Sequence, residues 1–132
     1  MNLDFFDAHQ RHWEDAELLK GGNRLANADH LFGISAECGL KCLMIIFGMN
    51  PDVSGADKVH ADKIWNRFES YRSGHNQGAK YTLPTVNPFS DWNVNQRYAR
   101  RVDFDISRLA SHRAGAEAVL NLIKKAKLAG LL

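Results

Sequence analysis

The sequence predicts an all-helical domain: an antiparallel bundle of four helices, five at most, with a long loop before the last one. Three observations predict it. Apolar residues recur at helical spacing in four separate stretches. Glycine, proline and asparagine punctuate the gaps between them. The chain has 132 residues, 45% hydrophobic and 24% charged, which are the proportions of one globular domain spanning residues 1–132. A chain of that length can bury a core without disulfide or metal staples.

The first helix is expected from about Leu3 to Lys20, where Phe5, Ala8, His12, Ala16 and Leu19 share a face. Gly21-Gly22 stops it. The second, from about Asn23 to Phe47, is the strongest element. Ala28, Leu31, Phe32, Ser35, Ala36, Gly39, Cys42, Leu43 and Ile46 form one broad stripe. Its small residues let a neighbouring helix approach closely. Gly48 and Asn50-Pro51 close it. The third helix runs from about Lys58 to Tyr71, with Val59, Ile64, Trp65 and Phe68 inward.

Residues 73–92 read as a long loop holding Gly74, Gly78, Pro84 and Pro88. Loops of that length inside a compact domain often carry function. The stretch from Trp92 to Arg101 reads as a short strand or an irregular arm. The last helix starts after Asp103 or Asp105, both suitable N-caps, and runs to about Leu128. Leu109, Ala116, Val119, Leu120 and Ile123 form its apolar face. Lys124, Lys125 and Lys127 sit near its C-terminus, where the dipole favours cations.

The formal net charge of +2 neither demands nor excludes a nucleic-acid partner. No apolar run approaches the ~18 residues of a membrane span, so no membrane association is expected. The N-terminus lacks a basic region followed by an apolar one, so no secretory signal is expected. The only cysteines, Cys38 and Cys42, lie one helical turn apart. They read as core residues of a cytoplasmic protein, and without a second ligand pair no metal site is predicted. No cofactor motif is present.

Four constellations could carry chemistry. On the second helix His30, Glu37 and Lys41 share a narrow polar sector with Asn23. An imidazole beside a carboxylate can move protons, and Lys41 can meet a phosphate. The plainer reading is a Glu–Lys pair worth ~0.3–0.5 kcal/mol beside a surface histidine. On the last helix Arg108 and His112 are one turn apart; histidine would transfer the proton and arginine would hold the phosphate. Their plainer reading is an arginine anchored to a carboxylate and a histidine at the core edge. Arg97, Tyr98, Arg100 and Arg101 form the densest basic and aromatic patch, suited to gripping phosphates and stacking a base. The plainer reading is a solvated arm. His60, at the start of the third helix, is either a packing and capping residue or a partner for Glu37. His9 and His12, near the apolar side of the first helix, read as hydrogen-bonded core histidines.

Trp13-Glu14-Asp15-Ala16-Glu17-Leu18-Leu19, then Asn27-Ala28-Asp29-His30-Leu31-Phe32-Gly33, then Ala36-Glu37-Cys38-Gly39-Leu40-Lys41, resembles the first helical hairpin of bacterial HEPN domains. His60 with Trp65, and Pro88-Phe89-Ser90-Asp91-Trp92 through Arg97-Tyr98, are similar to the same group. The resemblance covers most of the chain. It implies a helical bundle, often a homodimer, acting on RNA or nucleotides in toxin–antitoxin or defence systems, with a cognate nucleotidyltransferase antitoxin as a partner. Active members are ribonucleases carrying arginine, four to six residues, then histidine. Here Arg108 and His112 have three residues between them, and Arg24 and His30 have five but lie at the start of the second helix. The expectation is therefore a module that binds RNA or a nucleotide. The alternatives are a metal-independent ribonuclease and a non-catalytic interaction module.

Overall fold

The computed structural model describes residues 1–132. It holds four α-helices, α1 (Phe5–Gly21), α2 (Leu25–Ile46), α3 (Ala61–Ser73) and α4 (Ile106–Leu128), four short 3₁₀ turns and no strand. The all-helical bundle is the one the sequence predicts. No helix is long and apolar enough to cross a membrane.

Each helix begins and ends for a local reason. The Asp4 carboxylate accepts the Asp7 amide at 2.9 Å and caps α1. At its far end Gly22 donates to the Leu18 carbonyl, and Asn23 turns through φ 58. Asparagine tolerates that left-handed conformation better than most residues. It also places Asn23 outside α2, which starts at Leu25. Gly48, at φ 108, lets the chain leave α2. Asp105, not Asp103, caps α4 by accepting the Arg108 amide at 2.7 Å.

α2 is the axis of the molecule, packing against α1, α3 and α4. It is uninterrupted over its 22 residues. Ala28, Phe32, Ala36, Leu40, Leu43 and Met44 are fully buried along it. Gly39 sets how closely the neighbours approach. A Cβ on Gly39 would lie 2.5 Å from Val119 of α4 and 2.7 Å from His9 of α1, so α1 and α4 both close on α2 at this level.

Contacts fix the helix directions. Asp29 meets His112, and Gly39 meets Val119, so α2 and α4 run in the same sense. Glu17 pairs with Arg113 at 2.5 Å, and Phe6 lies under Lys127, so α1 runs opposite to α4. The tight turn after α1 makes it antiparallel to α2 as well. The long connection before α4 returns the chain to the starting end of the bundle.

That connection is not a loose excursion. Tyr81, Phe89 and Trp92 are buried and join the core cluster. The stretch expected as a strand or irregular arm instead forms a 3₁₀ turn, Val94–Tyr98, followed by another at Arg101–Asp103. Asn93 starts the first turn: its side chain accepts the Asn95 amide at 2.8 Å, and Gln96 Oε1 accepts the Asn93 amide at 3.2 Å.

Candidate functional site

The structure places the expected site residues in three groups along α2 and the elements packed beside it. The first is the arm. Arg97, Tyr98, Arg100 and Arg101 all stand in solvent, with Tyr98 77% exposed. The Arg97 guanidinium lies 5.0 Å from the Tyr98 ring centroid, a cation–π contact that orients both side chains. Arg100 reaches Asp103 at 3.5 Å; Arg97 and Arg101 pair with no carboxylate. Arg101 and Ala99 line an open hollow of about 590 Å³ with residues 22–27. Arg24 precedes α2 there without a side-chain cap, leaving the first amides of the helix without a capping acceptor from it.

The second group lies along the polar face of α2. Glu37 and Lys41 are both 8% exposed and paired at 2.7 Å. His60, just before α3, donates from Nδ1 to the other Glu37 oxygen at 3.2 Å. Lys41 also sits 5.8 Å from the Phe5 ring centroid. His30, further toward the arm, does not join that pair; its ring stacks on Trp92 at 5.3 Å and 14°. The Nδ1 atoms of His30 and His12 are buried without a partner. Burial, followed by the positive charge of Arg97, holds His30 below the usual imidazole value. Burial, followed by Arg11, does the same for His12. His9 is a core histidine: Nδ1 donates to the Ser35 carbonyl at 2.8 Å, and the Ser35 hydroxyl donates back to the His9 carbonyl at 2.9 Å.

The third group contains Arg108 and His112, and two carboxylates that sequence reasoning missed. His112 is fully buried. Its Nδ1 donates to Asp29 of α2 at 2.6 Å, and its Nε2 to Asp91 of the connection at 2.7 Å. Arg108 donates to Asp91 Oδ2 at 3.1 Å and to the Asp91 carbonyl at 2.7 Å. It also reaches Gln96 Oε1 at 3.0 Å, while Gln96 Nε2 donates to Asp29 at 2.6 Å. Two acids and two bases thus form a closed network whose charges cancel. Phe89 stacks on the imidazole at 5.4 Å.

Burial alone would push the His112 imidazole down, but the hydrogen bonds and charges of Asp29 and Asp91 outweigh it and hold the group above its usual value. Partial burial pushes Asp91 up, but His112 and then Arg108 overcome that and hold its carboxyl below the ordinary range. Both ring nitrogens are occupied by carboxylates, and the buried ring has no exposed surface for a substrate to touch. Asp29 had a sequence signal: with Gly33 and Ala36 it falls at i, i+4 and i+7 on the inward face of α2. A carboxylate there requires a buried cation.

No group of three or more His, Cys, Asp or Glu side chains is placed to hold a metal ion. Burial, with Glu37 second, pushes the Cys38 thiol up to about 12; burial, with Asp4 second, pushes Cys42 up to about 11. Neither is a nucleophile near neutrality. No protein-family model, curated protein or solved structure matches the chain.

Proposed function

We propose that the chain is a HEPN-like helical module that binds RNA or a nucleotide through the phosphate groups, using Arg97, Arg100 and Arg101 with Tyr98 as a stacking ring. The observation that carries this reading is the arm itself. Three arginines and a tyrosine stand in solvent on and between two consecutive 3₁₀ turns, and only Arg100 spends its charge on a neighbouring carboxylate. Unpaired guanidinium groups are suited to phosphate oxygens, and an exposed ring to a base. The hollow between Arg101 and the start of α2 adds backbone donors and Arg24 to the same surface.

The polar row of α2 enters as support. His30 stacks beneath the arm on Trp92, and Lys41 and His60 are already engaged by Glu37. Binding is favoured over cleavage because both nitrogens of His112 are occupied. The HEPN resemblance adds the setting: a homodimer in a toxin–antitoxin or defence system, beside a cognate nucleotidyltransferase.

The test is fluorescence anisotropy with a labelled single-stranded RNA, and separately with labelled ATP, at low and high salt. The expected result is salt-sensitive binding that weakens at least ~10-fold in the Arg97→Ala/Arg100→Ala/Arg101→Ala variant. All three side chains are exposed, so the fold is expected to persist. No binding of either probe at low salt, or equal binding by the variant, overturns the reading.

A further inference from the structure

We propose that the Asp29–His112–Asp91 bridge is a proton-operated latch: it clamps the arm to the bundle while the imidazole carries both protons, and frees the Asp91 end when one proton leaves.

The bridge can close in only one protonation state. Carboxylates accept and do not donate, so a ring nitrogen 2.6 Å from Asp29 and another 2.7 Å from Asp91 must each carry a hydrogen. Only the imidazolium has two. When one proton passes to solvent, one nitrogen presents a lone pair to a carboxylate at hydrogen-bond distance, and attraction becomes repulsion.

Burial decides which end yields. The Asp29 side chain is 1% exposed, accepts a second bond from Gln96, and lies 3.6 Å from the Arg108 Nε. Moving it to water would open the core. The Asp91 side chain is 61% exposed and rehydrates at small cost. Nε2 therefore loses the proton, and Asp91 Oδ1 gives up its bond to the ring.

The charged groups facing His112 are Asp29 from α2, Asp91 from the connection, and Arg108 one turn earlier on α4; the Phe89 ring covers one face. Arg108 keeps its bonds to Asp91 Oδ2 and to the Asp91 carbonyl. Release consequently loosens the segment without ejecting it. What loosens is the stretch that carries the arm: Asp91 is followed at once by Trp92, which donates to the Asp29 carbonyl at 3.3 Å, and by Gln96, which also bonds Asp29. Arg97 and Tyr98 complete that same 3₁₀ turn. The latch stands whether or not the arm binds RNA, and its test reads the arm directly.

The experiment is hydrogen–deuterium exchange of the intact chain from about pH 6 to about pH 10, with protection corrected for the intrinsic pH dependence of exchange. Alongside it, the His112 ring is titrated by NMR. Protection of residues 92–104 is expected to fall about 10-fold or more in one step, with the midpoint of the His112 ring. In Asp91→Asn the carboxamide can accept from Nε2–H or donate to its lone pair, so either protonation state can be bridged. There the step is expected to shrink below about twofold. Flat protection across the range in the wild type overturns the latch, as does an unchanged step in Asp91→Asn.

Discussion

The indole of Trp92 lies against the bare Cα of Gly33, so close that a Cβ built there would sit 2.1 Å from the indole Nε1. That contact joins the connection to α2 at the level of Asp29 and His30. Trp92 is almost fully buried, stacks on His30 and bonds the Asp29 carbonyl. The ring cannot shift without giving up both contacts.

Gly33→Ala is therefore expected to destabilise the chain by about 1–3 kcal/mol, the usual cost of overpacking a closed site. The control is Gly21→Ala at the end of α1, where a Cβ would meet nothing within 4 Å. That change is expected to be neutral or stabilising by up to ~1 kcal/mol, since alanine suits a helix better. Urea unfolding of both variants at one pH checks the contrast. Equal stability of Gly33→Ala and the wild type would mean that Trp92 packs elsewhere.

The fold could be read from the sequence because its signals are local. The α2 stripe, the Gly21-Gly22 stop and the Asp105 cap each act within a few residues. The 3₁₀ turns of the arm were harder to read. The Asn93–Gln96 capping box spans four residues, and its neighbours Arg97, Tyr98 and Arg100 carry no helical periodicity. The inward position of Asp29 is legible, but which residues it pairs with in the buried network was out of reach for a different reason. Asp29 and His112 are 83 positions apart, and Asp91 and His112 are 21 apart. Nothing local distinguishes Asp91 from any solvated loop acid. His112 looked like half of an arginine–histidine pair, while the acids that occupy it belong to other elements.

Stability is expected to peak near neutrality and to fall on both sides, for two sets of histidines with opposite signs. Burial holds His9, His12 and His30 below the usual value near 6.5, so the unfolded chain binds more protons there. Their contribution is complete above pH 6.5 and is lost as pH falls toward their folded values. His112 is held above 6.5, so the folded chain binds more protons. Its contribution is complete below pH 6.5 and is lost as pH rises through its folded value. Asp91, held low, adds stability above about pH 3.8 that disappears in stronger acid. Denaturant midpoints across about pH 4 to 9.5 check the shape. In Asp91→Asn the alkaline decline is expected to weaken while the decline just below pH 6.5 stays. A wild-type profile that rises steadily to pH 9.5 would show that His112 is not held protonated by its two acids.

Glu37 and Lys41 offer a separate test, because both charges are nearly out of water and depend on each other. Their side chains are 10% exposed, and the carboxylate also accepts from His60. Glu37→Leu alone leaves the nearly buried ammonium group beside the Phe5 ring with no counter-charge. Breaking a buried pair in this way costs about 3–5 kcal/mol. The double variant Glu37→Leu/Lys41→Leu removes both charges and places apolar surface against Phe5. It is expected to recover most of that loss, because the desolvation cost of the pair is removed with it. The pair is thus a poor stabiliser in itself, and a double-mutant cycle by urea unfolding should return a coupling of at least ~1.5 kcal/mol. Additive losses across the cycle would mean that water reaches Lys41 directly and that the pair is an ordinary surface contact.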